Sequence, residues 1–425
     1  MALGRQDKRR YKGSSAKPSK RRAFLKGAAG VSAIALTGCE NLAMQAFTSS
    51  PAEAPRSFRN RNPIPQANVA EGTFPGFNGI RFFADRPSVE FSNWFTDWAS
   101  QRQQLGLDRG GLPIDALTLS GGSSEGAFGA GLLVGWGQRG DRPKFNLVCG
   151  ISAGALIASS VATGSDYDMR LVSAFRSNAF SDLVDIQPTK MLFGGESASS
   201  ADKLFATINR MVTNQMIDQI AVNYRKGSRF LVLTTNLDLQ RPVAWDITAI
   251  AASGHHNRYH LVRSLLMATT ALPGLFPPVR LPVEANNTVY DELHVDGAVS
   301  QGLFLLPGAE DSLRTTQSIA PNMRFRIWMV INGSLTPSYS PVNAQMLQLA
   351  NKSLETLLKR PTSEDVEDLF EMAQEMQTAG RVTFVPNEIT QRGNANGFDK
   401  TYMRQLFRYG LARGKQADYW FDRLP

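Results

Sequence analysis

A chain of 425 residues that is 42% hydrophobic and 20% charged carries enough apolar material for one large domain or two smaller ones, which excludes a disordered chain. The formal charge is +9, yet residues 1–38 hold ten of the 46 basic residues and one of the 37 acidic ones, Asp7. The remainder is neutral and offers no electrostatic footprint for nucleic acid.

Taken in chain order, the basic segment comes first. "SKRRAFLKGAAGVSAIALTGC" runs from basic residues through a short apolar stretch to a cysteine, and it resembles a bacterial export signal. Arg21 and Arg22, followed by Ala23-Phe24-Leu25-Lys26, match the twin-arginine pattern; Leu36-Thr37-Gly38-Cys39 resembles a lipobox. The apolar stretch 27–38 is well short of the roughly 20 residues that a spanning helix needs. The resemblance implies a signal peptide over 1–38, passage through the twin-arginine export machinery, and a mature chain lipidated at Cys39. That would place the protein in the bacterial cell envelope, tied to a membrane by its lipid on the periplasmic side or at the outer membrane. The alternative is a cytoplasmic protein with a basic arm. Residues 39–75, rich in Pro, Ser, Ala and Asn, read as a flexible tether, and 76–425 as the domain.

Within the domain, "SVEFSNWFTDWASQRQQLG" has the period of an amphipathic helix with Phe91, Trp94, Phe95 and Trp98 on one face, predicting a helix packed on the core. The strand "IDALTLS" leads into Gly121 and a helical run, "GAFGAGLLVGWGQ". A second strand, "FNLVCG", leads through a turn into the helical "AGALIASSVATG". Cys149, in that strand, reads as a small buried residue, and two cysteines in all call for no disulfide framework. Strand, glycine turn and helix, twice over, predict a parallel α/β sheet with its site at the carboxyl ends of the strands. Two strands follow within 229–247, then a helix near 258–269, the strand "FRIWMVING", and helices near 343–360, 363–379 and 399–413.

Three segments carry chemistry. Gly150-Ile151-Ser152-Ala153-Gly154 has the glycines that permit a sharp strand-to-helix turn, which lifts a serine above the sheet. "LSGGSSEGAFGAGLL" puts Gly121, Gly122, Ser123 and Ser124 in a loop before a helix, followed by Gly126; it lacks both the dinucleotide and the Gly-Lys-Ser/Thr nucleotide patterns. Such a loop aims backbone amides at an oxyanion, each donor being worth about 3 kcal/mol of barrier. Asp296-Gly297-Ala298 ends an apolar strand, and a partly buried aspartate can accept a serine proton directly.

In this order the segments resemble the patatin-like phospholipases, acyl hydrolases with a Ser–Asp dyad and no catalytic histidine. The family's G-G-G-x-[KR]-G pattern falls on Gly121 to Gly126, its nucleophile motif on Gly150 to Gly154 and its D-G-[AG] on Asp296-Gly297-Ala298; "MATTALPGLFPPV", residues 267–279, matches a fourth block. The resemblance covers about 114–302, with a helical C-terminal part at about 340–425. Ser123 stands in place of a glycine and Glu125 in place of the basic residue. The resemblance implies a three-layer α/β sandwich with a mostly parallel central sheet and helices on both faces. It also implies catalysis by Ser152 and Asp296 on a membrane lipid or other lipid ester, with neither metal nor cofactor.

Two alternatives stand beside it. One is an ordinary α/β-hydrolase, with Ser152, an acid such as Asp238 or Asp246, and one of His255, His256 or His260. The other is an inactive lipid-binding envelope protein that keeps the fold. His294, two residues before Asp296 on a strand, shares its face and could tune it.

Overall fold

The computed structural model describes residues 61–108, 113–176, 198–273, 275–336, 346–390 and 400–424, with 111 and 341 besides. Arg21, Arg22, Cys39 and the tether up to residue 60 lie outside the described residues.

The strands are β1 (Arg81–Phe83), β2 (Ile114–Leu119), β3 (Leu147–Gly150), β4 (Arg229–Asn236), β5 (Arg241–Asp246), β6 (Val279–Ala285), β7 (Thr288–Asp296), β8 (Phe325–Val330) and β9 (Gly380–Thr383). The helices are α1 (Val89–Gln104), α2 (Gly126–Arg139), α3 (Ala153–Thr163), α4 (Asp168–Arg176), α5 (Ala198–Met211), α6 (Asn214–Arg225), α7 (Ile247–Ala252), α8 (Arg258–Thr269), α9 (Ala309–Ile319), α10 (Met346–Glu375), α11 (Asn387–Thr390) and α12 (Lys400–Gly414).

The strands form one sheet in the order β1-β5-β4-β3-β2-β8-β9. The run β4-β3-β2-β8-β9 is parallel throughout; β5 and β1 extend it antiparallel. Side chains alternate between two cores, as the period of a strand requires. Leu117 and Leu119 of β2, Phe230 and Val232 of β4, and Trp328 and Val330 of β8 face α2, α3, α5, α6, α8 and α12. Ile114 and Ala116, Leu231 and Leu233, and Phe325, Ile327 and Met329 face α1, α9 and α10. The result is the three-layer α/β sandwich with a mostly parallel central sheet and helices on both faces.

One pairing determines where the site forms. The edge of β4 that β3 occupies over Arg229–Val232 is taken over by β7 for the next residues, with Thr234 opposite Asp296 and Asn236 opposite His294. Running in opposite directions, β3 and β7 bring their carboxyl ends together on that shared edge.

Two expectations need correction. Residues 61–75 are docked rather than free: Ile64 and Phe74 are buried, Pro63 bridges to Asp291, and Thr73 pairs with Glu284 of β6. Composition alone missed this because two apolar residues among many polar ones are enough to hold the segment on a hairpin. The break expected between 360 and 363 is absent, since α10 is continuous through Pro361. An interior proline costs about 3 kcal/mol, through a lost i→i−4 bond and a clash with the carbonyl one turn earlier, and the helix carries that cost without ending there. Among the described residues no helix is long and apolar enough to cross a membrane. The tryptophans of α1 are core residues: Trp98 Nε1 donates to Gly227 O at 2.8 Å and Trp94 Nε1 to Asp246 Oδ2 at 2.8 Å.

Candidate active site

At the end of β3 the chain turns sharply into α3, and Ser152 holds the turn at φ 55°, ψ −128°. A non-glycine residue there is strained by about 1–3 kcal/mol and persists only where its surroundings over-determine it. The flanking glycines supply that fit. A Cβ at Gly150 would lie 2.6 Å from Ala155 Cα, and one at Gly154 would overlap the carbonyl oxygens of Leu119 and Ser120. The Ser152 amide donates to Thr269 Oγ1 at 2.9 Å, so the last residue of α8 pins the turn from behind. Ser152 itself is half-buried.

The 121–126 loop runs alongside. A Cβ on Gly121 would meet Ser152 Cβ at 3.2 Å, its Oγ at 3.9 Å, and Ala298 Cβ at 3.6 Å, so Gly121 sits where the other two segments meet. Gly122 has φ 154°, and a side chain there would overlap the carbonyl of Asn332. Ser123, in place of the family's glycine, adopts φ 47°, the left-handed conformation that glycine enters freely. Residues Ser123–Glu125 form a 3-10 turn that runs on into α2. Among the described residues, the amides of Gly121 and Gly122 have no hydrogen-bond acceptor.

Sequence reasoning missed Asn332, which fixes this loop. Its amide donates to Ser120 Oγ at 2.9 Å, its Nδ2 donates to Ser120 O at 2.8 Å, and its Oδ1 accepts from the Gly129 amide at 3.2 Å. Only its position directly after the apolar run of β8 could have signalled it.

Asp296 ends β7 and is 1% exposed. Its Oδ1 accepts from the Ala298 amide at 2.9 Å, its own amide donates to Ala271 O at 3.1 Å, and Thr235 Oγ1 donates to its carbonyl at 2.9 Å. Burial raises the carboxyl pKa to about 7, against the opposing pull of the Ser152 hydroxyl and the Ala298 amide. Gly297 lies close over Leu233 O and Ile151, which seats the Asp-Gly-Ala segment on the nucleophile turn.

The four histidines lie elsewhere. His294 is fully buried, with Nδ1 at 2.9 Å from Thr234 Oγ1 and Nε2 at 3.1 Å from Glu292 Oε2, so both ring nitrogens are engaged away from Ser152. Burial lowers its pKa. His255 packs on Phe77 and His256, and His260 on Phe205. Along α8, His260 is nine residues from Thr269, about 13 Å at 1.5 Å per residue, and His255 and His256 precede the helix. The acids of the triad alternative are also engaged: Asp238 with Arg61 at 2.6 Å, and Asp246 with the Ala249 amide and Trp94. The triad expectation therefore finds no histidine beside Ser152.

A cleft of about 550 Å³ opens beside these groups, lined by Thr235, Leu237, Val299, Ser300, Leu303 and Asp365 among others; neither Ser152 nor Asp296 lines it.

A serine on a sharp strand-to-helix turn, a buried carboxyl and a glycine loop whose first two amides have no acceptor among the described residues thus meet near the carboxyl ends of strands in a mixed α/β sheet. Residues 117–307 match the model of the patatin-like phospholipase family. That segment starts in β2, ends just beyond Asp296 and contains all three motifs. Solved structures similar to this chain include VipD from Legionella pneumophila, at 12% identity over 70% of this chain and 67% of that one, TM-score 0.30. Human GIVD cytosolic phospholipase A2 is another, at 11% identity over 66% and 53%, TM-score 0.33. The chain spans about half the length of that human structure. No curated protein matches the sequence.

Proposed function

We propose that the protein is a lipid acyl hydrolase of the phospholipase A or lysophospholipase type, working through a Ser152–Asp296 dyad. The observation that carries the reading is the meeting of Ser152, the Asp296 carboxyl and Gly121 at one point, with every histidine elsewhere. Asp296 takes the hydroxyl proton as Ser152 Oγ bonds to the ester carbonyl carbon. The carbonyl oxygen, now negative, is held by amides of the 121–124 loop. The intermediate collapses to an acyl-serine as the ester C–O bond breaks, and Asp296 returns its proton to the leaving alkoxide. Water then attacks the acyl-serine, Asp296 takes its proton, and Ser152 recovers one as the fatty acid leaves. A carboxyl with a pKa of about 7 suits both directions of transfer near neutral pH.

The export reading belongs to the same proposal: a chain lipidated at Cys39 would act on lipid of the membrane that holds it. The test is fluorophosphonate labelling together with fatty-acid release from phosphatidylcholine vesicles. The wild type should show both, while Ser152→Ala and Asp296→Asn lose both and remain folded. Release that survives in Ser152→Ala refutes the reading.

A further inference from the structure

The C-terminal helix α12 lies outside the family-matched segment, yet it packs along α2, which grows directly out of the 121–126 loop. The two backbones touch without side chains between them. A Cβ at Gly131 or Gly135 of α2 would overlap the carbonyls of Phe407 and Leu411, and one at Gly410 or Gly414 of α12 would overlap those of Phe128 and Leu132. With glycines interlocked from both sides, α2 cannot slide or tilt without opening this seam.

The seam ends at the loop. Tyr402, 7% exposed near the start of α12, donates its hydroxyl hydrogen bond to Glu125 Oε1 at 2.9 Å. Glu125 closes the Ser123–Glu125 turn and directly precedes α2. Its other carboxylate oxygen lies against Gly333, 3.2 Å from where a Cβ there would sit. Gly333 follows Asn332, the residue that pins Ser120 and abuts Gly122. Glu125 is thus wedged between α12 and the loop after β8. An acid swinging freely so near the loop amides would oppose a developing oxyanion. Held by the Tyr402 phenol at the head of α2, it instead sits where the helix dipole favours negative charge.

We infer that Tyr402 and Glu125 are positioning residues that hold the 121–124 donors against Ser152. On this inference Glu125, standing where the family motif has a base, serves the geometry of the oxyanion loop and does not read a headgroup. The inference rests on the acyl-hydrolase reading. Since the donors act on charge that develops during reaction, loosening them lowers kcat and the rate of fluorophosphonate labelling but leaves KM unchanged.

The experiment uses the full chain, a p-nitrophenyl ester and a fluorophosphonate probe, with Ser152→Ala as control. Tyr402→Phe and Glu125→Ala should each lower kcat and labelling rate about tenfold, the effect of about one loosened oxyanion donor, with KM within about twofold. Glu125→Gln, which keeps an acceptor oxygen, should restore most of the rate. The double variant Tyr402→Phe/Glu125→Ala should be no slower than either single one. A purely structural tie would lower the melting temperature and leave kcat and labelling rate unchanged, and that result overturns the inference alone. Hydrolysis persisting in Ser152→Ala overturns the acyl-hydrolase reading and this inference with it.

Discussion

Asp296→Asn should stabilise the protein at alkaline pH while abolishing its activity. The carboxyl is 1% exposed and its pKa is raised from 3.8 to about 7, so the folded state binds a proton that the unfolded chain has released over that interval. A group with its folded pKa raised contributes stability that is complete below the unfolded pKa and is lost as pH rises through the folded one. The loss amounts to about 4 kcal/mol between pH values of about 4 and 7, at 1.36 kcal/mol per unit. Asparagine has no proton to lose. Urea unfolding of wild type and Asp296→Asn at pH of about 5 and about 8 should therefore diverge: the variant gains about 3 kcal/mol on the wild type between the two conditions. Asp365, raised to about 7 by burial, titrates in both proteins and cancels from the comparison. A difference between the two proteins that does not change with pH would show that Asp296 is not held as a buried, proton-hungry carboxyl, and the direct-base mechanism would lose its support.

Further expectations follow from the same geometry. The acid limb of kcat/KM should fall at a pH near 7, tenfold per unit below it, and hardly move with temperature, because carboxyl ionisation carries little heat; a limb that shifts markedly on warming would point to imidazole. Asn332→Ala should cost about 1–3 kcal/mol, since it leaves the buried Ser120 carbonyl without its side-chain donor, and should slow fluorophosphonate labelling; an unchanged melting temperature would contradict the role given to Asn332. Any side chain at Gly122 should block folding through its overlap with Asn332, measured as loss of soluble protein. Cys39→Ala should abolish fatty-acid labelling and membrane sedimentation, and Lys-Lys in place of Arg21-Arg22 should leave precursor unexported; fractionation and metabolic labelling decide both.

The motifs were legible because each is local. A glycine-flanked serine between an apolar strand and a helix, or a glycine loop after another strand, states its own turn. Partners that reach the site from distant segments left little trace. Thr269, behind the Ser152 amide, lies in the recognisable 267–279 block, but nothing in that block says which of its residues touches the turn. Asn332 lies 212 residues beyond Ser120 and Tyr402 lies 277 beyond Glu125, the loop residues they bond, in segments whose pattern announces only a strand and a helix. The docked stretch 61–75 and the unbroken α10 were hidden for a related reason: composition and proline statistics describe average contexts, and here a hairpin surface and a long helix overrode them.

The pairing of β7 with β4 was the least legible feature, and on the proposed mechanism it accounts for an aspartate serving where imidazole is more usual. Thr234 opposite Asp296 and Val232 opposite Gly150 put the ends of two oppositely directed strands on one edge of β4. A residue at that junction is walled by the nucleophile turn, by Gly297 folded over Leu233, and by the threonine of the neighbouring strand, so water is excluded from it. Exclusion of water raises a carboxylate's proton affinity by several units. The junction thus raises the Asp296 pKa to about 7, the range of an imidazole; the strand register places the residue beside Ser152, and the Ala298 amide on Oδ1 orients its carboxyl.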